Sequence, residues 1–551
     1  MANPTEKPTG LGDEVEHATT SAKGYSPQDT AEHARLAAES EHGLTALEAM
    51  KRYPWAVVWC LVISMCVVME GYDLNLLNNF YAYPEFARKF GEYNENTDNY
   101  QLSPAWQAGL GNGAQVGAFF GTLLNGYLVT KFGHVRVLVG ALATLAGFVF
   151  ITFFAPNNGV LLAGQVLCGL PWGIFATAAP AYASEVLPMT LRVYLTSWTN
   201  MCFIIGQLIA AGILAGLVKI ENEWSYRIPF AIQWVWPVIL IPIIWFAPDT
   251  PWHLVRVGKI AEAKKSLIRL RPSAPESEIE NMLGLIIYTN DFEQELEVGT
   301  SYFDCFKGFE LRRTEIACMA FGGQILSGMY FAYNSTYFFQ QIGLDLDQTY
   351  NLNVGGTGMA LFAAFISWFF VMPYVGRRTA YLWGMSVMTA ILFIIGGLNA
   401  RNSKDSVAMT QAILTLIWTF TFQLSVGQLG WALPAEIGST RLRQKTVCLG
   451  RNTYAVSAIV AGVVQPYFMN PTALNLRGYT GFIWGGTSVI TLVWAYFRLP
   501  ETRNRTFDEL DFLFARRVSA RKFSTYKIDG LRSDEAPAVH VVASEKPAGD
   551  V

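Results

Sequence analysis

Charge is what this sequence has least of. Asp, Glu, Lys and Arg make up 15% of its 551 residues, where a soluble globular chain carries roughly a quarter. The few charges nearly cancel, with a net of −3. No cationic excess is left to neutralise phosphates, so no nucleic-acid partner is expected. Histidines number only 6. Neither they nor the acids form a nucleophile and base pair, a metal-ligand spacing or a Gly-rich phosphate loop. An enzyme, a bound metal and a cofactor are therefore not expected. Cysteines number 7, an odd count without a CxxC pair. Cys60, Cys66, Cys168, Cys202, Cys318 and Cys448 sit in apolar segments and Cys305 in a polar one, the pattern of small buried hydrophobes rather than of a disulfide or zinc framework. Residues 1–50 lack a short apolar core with a cleavage site, so no secretory leader is expected and the first membrane helix has to direct insertion.

Apolar length is what the chain has in abundance: 52% of its residues, among them 16 Trp, 24 Tyr and 36 Phe. These concentrate between polar stretches at 1–50, roughly 248–313 and 498–551. A helix crossing about 30 Å of hydrocarbon needs about 20 mainly apolar residues. Read with that window, spans fall at 54–83, 105–129, 136–155, 159–183, 194–218, 228–247, 315–340, 353–374, 379–398, 409–435, 446–468 and 479–497. The expected fold class is all-α: a polytopic membrane protein with 12 transmembrane helices in two pseudo-symmetric six-helix bundles. Its divisions are a disordered tail (1–50), a first bundle (51–247), a linker with short helices (248–313), a second bundle (314–497) and a second tail (498–551). Within the linker, 260–270 has helical periodicity. The short loops carry eight cations on the tail side against seven on the far side. Lys51, Arg52, Arg498, Arg503, Arg505, Arg516 and Arg517 break the tie, which predicts cytoplasmic tails and a cytoplasmic linker.

An internal repeat supports two parallel halves. Glu185-Val-Leu-Pro-Met-Thr-Leu-Arg192 returns as Glu436-Ile-Gly-Ser-Thr-Arg-Leu-Arg443, and Pro248-Asp-Thr-Pro251 as Pro500-Glu-Thr-Arg503. The basic turn Lys131-Phe-Gly-His-Val-Arg136 returns loosely as Val375-Gly-Arg-Arg378. Glu185, Arg192, Arg377, Arg378, Glu436, Arg443 and Glu501 are therefore candidate members of a cytoplasmic gate, ion pairs that hold the halves together when the inner side is shut. Plain obedience to the positive-inside rule is the alternative for Arg377 and Arg378.

Ionisable groups inside spans are expensive and mark function by default. Glu70 and Asp73 lie three apart in the first span and are expected to share a face looking into the bundle, as candidate proton carriers. Arg451, the main intramembrane cation, either partners one of them or snorkels to the interface. Asn200 and Gln207 in the fifth span, Gln324 and Tyr330 in the seventh, Trp431 in the tenth and Asn452 in the eleventh combine amides with aromatic faces. That combination suits a polyhydroxylated ligand such as a sugar, while any one amide also serves as interhelical glue.

These residues resemble the sugar porters of the major facilitator superfamily, and within them the fungal alpha-glucoside, maltose permease-like branch. The resemblance covers about residues 50–515 and rests on Met69-Glu-Gly-Tyr-Asp73, Ala105-Trp-Gln-Ala-Gly109, Gly206-Gln-Leu-Ile-Ala210, Gln324-Ile-Leu-Ser-Gly328, Arg441-Leu-Arg-Gln-Lys-Thr-Val447 and Pro500-Glu-Thr-Arg-Asn-Arg-Thr506. It implies a proton-coupled carrier of an alpha-glucoside or other disaccharide, working as a monomer in the plasma membrane. Asp73 would be the proton-linked acid, and Asn200, Gln324, Trp431 and Asn452 the sugar contacts. The chain departs from the family at Thr130-Lys-Phe-Gly-His-Val135, where Asp-Arg-x-Gly-Arg-Arg is usual, and at Pro373-Tyr374. Ala118 and Gln165 stand where the branch has acids, and Tyr330 where Asn is usual. These departures set a second reading beside the first: a sugar sensor, or an exporter or facilitator with weakened proton coupling.

Overall fold

The computed structural model describes residues 46–526 together with His33 and Leu36, leaving out 82, 95–98, 296–301, 334, 342–345, 400–404, 439–441, 471–472, 504–509, 511–512, 515 and 525. Among the described residues, nine helices are long and apolar enough to cross a membrane: Pro54–Phe80, His134–Phe153, Asn158–Val186, Thr190–Leu217, Trp224–Trp245, Asp347–Tyr374, Arg377–Asn399, Val407–Pro434 and Lys445–Met469. Three more complete the twelve. Pro104–Phe132 is diluted by Gln107, Asn112, Gln115, Asn125 and repeated glycines. Thr480–Arg498 is rich in Gly, Thr, Trp and Tyr. The seventh span is broken into Glu310–Leu326, Met329–Tyr333 and Ser335–Gln341. The spans are numbered one to twelve below in chain order.

The break in span seven lies at Gly328, whose φ of +94° is a left-handed conformation that side-chain-bearing residues resist. A matching interruption in span ten falls at Ser425. Gln324, one turn before the break in span seven, reaches the break in span ten: its Nε2 donates to the carbonyls of Gly427 at 3.0 Å and Val426 at 3.5 Å. Irregular backbone at membrane depth survives only where its polar groups are answered in this way.

Within the first half, span two packs on span four and span one on span five. The seam between halves is built from span two on span eleven and span five on spans eight and ten. Trp198, Met201 and Ile204 meet Ala360, Ala364 and Trp368 there in a small apolar cluster.

Each half is closed by one acid. Asp249, just after span six, accepts the backbone N–H of His134 at 3.1 Å and so caps span three. Glu501, just after span twelve, accepts those of Arg377 at 2.7 Å and Arg378 at 3.2 Å and caps span nine. A carboxylate at a helix N-terminus answers both the orphan amides and the positive end of the macrodipole. The glycine before each capped helix, Gly133 or Gly376, leaves the room a β-carbon would take from the acid. The repeat seen in the sequence is thus a repeated closure.

Among the described residues of the linker there are three α-helices, Pro251–Arg256, Ile260–Leu270 and Glu276–Glu295. Leu254, Leu267, Ile279, Leu283 and Ile286 give them a core of their own. The linker is braced to the start of span one. Glu278 takes Arg52 at 2.7 Å and Arg271 at 2.5 Å, and the Arg271 guanidinium lies 4.2 Å from the Tyr53 ring centre. Burial works to raise the Glu278 pKa, but hydrogen bonds and charge from Arg52 and Arg271 outweigh it and hold the carboxyl below its ordinary value.

The described parts of the tails next to the membrane domain are folded. Ala46–Arg52 is helical with Ala49 buried, and Leu513, Phe514, Ala520 and Phe523 are buried beneath the second half. On the far side, the loop after span one forms a short helix, Pro84–Phe90, and an antiparallel hairpin pairing Glu92–Asn94 with Asn99–Gln101.

Candidate functional site

The seam is shut on the far side and open on the side that carries the tails. A cavity of about 350 Å³ opens there, between spans two and four of the first half and spans seven, ten and eleven of the second. Its wall includes Asn125, Thr177, Trp431, Lys445, Cys448 and Arg451. That volume lies at the lower end of the ~300–1,000 Å³ typical of small-molecule sites.

Glu70 and Arg451 meet across the seam at 2.6 Å, and both are buried. Aromatic rings enclose the guanidinium: Trp431 and Tyr454 each at 4.6 Å and Phe321 at 5.9 Å from their ring centres. Of the two readings for Arg451, the structure has the pairing and not the snorkel. The guanidinium stays with Glu70 and its surrounding rings although Arg451 also borders the open cavity.

Glu70 and Asp73 do not look into one shared space. The 60° between residues three apart on a helix is enough, at a crowded seam, for each to find a different partner. Asp73 turns into the first bundle, where Gln233 of span six donates to Oδ1. Its Oδ2 is buried without a hydrogen bond, with Gln165 of span four and Cys168 close by.

The predicted sugar contacts divide into groups. Trp431 lines the cavity. Asn200 is tied across the seam, donating to Gln423 Oε1 at 3.0 Å, and Gln423 in turn donates to the Tyr333 hydroxyl at 2.7 Å. Gln324 serves the break in span ten. Gln207 Oε1 and Asn452 Oδ1 are buried with no hydrogen-bond partner, as are both amide atoms of Asn112 and of Gln428. Tyr330 lies on the far side of the seam, in a hollow of about 20 Å³ with Tyr81, Tyr337 and Gln465.

The predicted gate residues pair within halves. Glu185 lies 3.9 Å from His134 Nδ1 and 3.3 Å from Arg256, and Arg192 donates to the Leu187 carbonyl at 2.9 Å. Nearby His253, outside the spans, has its pKa lowered, by burial first, against the opposing charges of Asp249 and Glu185. In the second half Glu436 takes Arg377 at 3.2 Å and the hydroxyl of Thr502 at 2.5 Å, while Arg378 donates to the Tyr496 carbonyl at 2.7 Å. The side chain of Arg443 lies outside the described residues. With the seam open on this side, the described pairs of these acids brace each half instead of joining the two.

What joins the halves on the far side was not among the expected residues. Asn79, at the end of span one, is the hub. Its Oδ1 accepts from Asn353 Nδ2 at 2.9 Å and from the Thr336 hydroxyl, and its carbonyl accepts from the Tyr350 hydroxyl at 2.9 Å. Tyr83 packs edge-on against Tyr350 at 5.7 Å. The available signal was Asn75, Asn78 and Asn79 together at the end of the first span. The partners, more than 250 positions away, carried no comparable mark.

The profile of the family described as "Sugar (and other) transporter" matches residues 59–514. Curated relatives in Saccharomyces cerevisiae include maltose permease MAL31, 38% identical over 514 residues, 92% of this chain and 83% of the relative. Alpha-glucosides permease MPH3 is 39% identical over 530 residues, 95% and 87% of the two chains. Among solved structures, the proton:xylose symporter XylE bound to 6-bromo-6-deoxy-D-glucose superposes with a TM-score of 0.68 at 17% identity, covering 84% of this chain and 100% of that one. A partially occluded inward-open form of the E. coli xylose transporter XylE gives 0.66 at 16% identity, covering 82% and 99%. The twelve-helix fold of the major facilitator superfamily is shared at that level.

Proposed function

This chain belongs to the family of sugar (and other) transporters, and from that premise we propose that it carries an alpha-glucoside or other disaccharide across the membrane by alternating access, coupled to protons. The observation that carries the reading is a seam locked on one side by the Asn79 hub and open on the other into a cavity walled by Trp431 and Arg451. A carrier needs such a site reachable from one side at a time. The disaccharide follows from the names of the relatives, maltose and alpha-glucoside permeases, and is supported by a cavity whose wall sets the aromatic faces of Tyr127, Tyr302, Phe321 and Trp431 beside the polar groups of Asn125, Thr130, Thr177 and Ser184.

Asp73 is the proton carrier of this proposal, because it is a buried acid with neutral amides, Gln233 and Gln165, and, among the described residues, no cation against it. Glu70 and Arg451 couple that event to the seam. Trp431, Asn452 and Gln207 bind sugar, with Asn200, Gln324 and Tyr330 shaping the path. The gate acids Glu185 and Glu436, with Arg192, Arg377, Arg378, Arg443 and Glu501, exchange partners when the tail side closes. The protein is a carrier and not an enzyme. It acts as a monomer in the plasma membrane, with the tails and linker cytoplasmic. Expression in transport-deficient cells tests this through uptake of labelled maltose, cellobiose or lactose with simultaneous alkalinisation of the medium. Uptake without alkalinisation sinks the coupling, and no uptake at any pH sinks the importer in favour of a sensor or exporter.

A further inference from the structure

The described residues of the second tail from Leu513 to Phe523 pack beneath the second half. Phe514 and Phe523 stack edge-on at 5.2 Å, Arg312 lies over both rings at 5.5 and 5.6 Å, and Arg312 Nη1 donates to the Val518 carbonyl at 2.7 Å. The chain reverses at Arg517, which takes a φ of +51°. This anchoring leaves Arg516, Arg517, Arg521 and Lys522 exposed. From 513 to 526 the sequence contains these four cations and no acid.

The anchored segment sits against the tail-side end of span twelve. The Arg521 guanidinium lies 4.8 Å from the ring centres of both Tyr496 and Phe497. Arg378, from the start of span nine, lies over the same Tyr496 ring at 5.6 Å. Tyr496 and Phe497 are 49% and 54% exposed on the outer face of the last turn of the span. Rings at that height belong to the interfacial belt, half in hydrocarbon and half among headgroups. The acids described nearby are already engaged: Glu315 takes Arg498 and Glu501 caps span nine.

We propose that Arg378, Arg521 and Lys522, with the Tyr496 and Phe497 rings, form a binding site for the headgroup of an anionic phospholipid. The rings meet the upper acyl chains and the guanidinium groups meet the phosphate in the planar, multiply bonded fashion arginine favours. A folded, anchored cation cluster differs from a diffuse basic tail because its charges are held at the membrane surface before the lipid arrives.

The test uses the full chain in nanodiscs of phosphatidylcholine with phosphatidylserine as a minor component, and reads the lipid that stays bound after detergent extraction by mass spectrometry. Wild-type protein is expected to retain phosphatidylserine several-fold above its share of the bilayer. R521Q/K522Q is expected to fall to the bulk ratio while melting normally in pure phosphatidylcholine. The double variant K131Q/R136Q, which removes two exposed cations from the tail side of the first half, is expected to retain the enrichment. Wild-type protein is also expected to lose it in about 1 M salt, where screening reaches about 3 Å. Undiminished enrichment in R521Q/K522Q, or equal loss in both double variants, overturns the proposal in favour of a diffuse surface charge. Should R521Q/K522Q melt abnormally, the exposed single variant R521Q is read by the same criteria.

Discussion

Glu70 and Arg451 are separated by 381 positions in sequence and 2.6 Å in space, and their ion pair ties the first bundle to the second at the inner end of the cavity. With both members largely buried and the guanidinium flanked by the rings of Trp431, Tyr454 and Phe321, each charge depends on the other for compensation. Breaking a buried pair by neutralising one partner costs about 3–5 kcal/mol, because the other charge is left uncompensated.

Glu70→Gln is therefore expected to lower the melting midpoint and abolish uptake. Glu70→Gln with Arg451→Gln should recover most of the stability without recovering uptake. Thermal melts and proteoliposome uptake on the same preparations separate the two effects. Equal melting of the single and double variants would mean the pair carries no coupling energy.

Asp73 is buried against the amides of Gln233 and Gln165. Asp73→Asn preserves the size of the group and removes its ability to carry a proton. Sugar exchange down a gradient is expected to persist in this variant, while accumulation driven by a proton gradient is lost. Counterflow and pH-jump uptake distinguish these outcomes, and intact accumulation would remove Asp73 from the coupling step.

The Asn79 hub makes three hydrogen bonds to the second half, each worth about 0.5–1.5 kcal/mol net. Asn79→Ala removes two of these bonds and Asn353→Ala one, the Tyr350 bond to the backbone carbonyl surviving in both, so each should shift the population away from the tail-side-open form by about tenfold. Cys448, on the wall of the tail-side cavity, reports this directly. Its alkylation by a reagent added from the tail side should slow by a similar factor in both variants.

The brace around Glu278 predicts an acid limb in stability. Its pKa is held below the ordinary value, so its contribution is complete above the usual carboxylate range, near 4, and disappears as pH falls through the lowered value. The melting midpoint is expected to be level at mildly acidic pH and to drop below that range. Glu278→Gln should start slightly lower and drop less, the small size following from a partly exposed site.

The spans were legible because a bilayer enforces length and composition on each helix independently of its neighbours. Pro104–Phe132 and His134–Phe153 begin and end within three residues of where hydropathy puts them. The linker helix Ile260–Leu270 matches its periodicity, while its two companions, stabilised by the shared core, had no equally clear pattern. The twofold closure by Asp249 and Glu501 was visible as a repeated motif, although capping itself was not. The partners of polar groups were hardest to read. Which way Glu70 and Asp73 face was settled by Arg451 and Gln233, on helices that meet the first span only after the whole bundle packs. The Asn79 hub and the breaks at Gly328 and Ser425 have the same origin: single residues whose role is conferred by distant backbone.

The two acid caps also bear on the order of synthesis. Asp249 reaches back across three spans to cover the first amide of span three, so the first half can form this closure as soon as the chain has been made to that point. It can mature in the membrane while the second half is still on the ribosome. Glu501 stands in the same place for the second half, two residues beyond the buried Leu499. A nascent chain stopped at the end of span twelve would insert all its spans yet leave span nine uncapped, and quality control would meet a protein complete in topology and incomplete in structure.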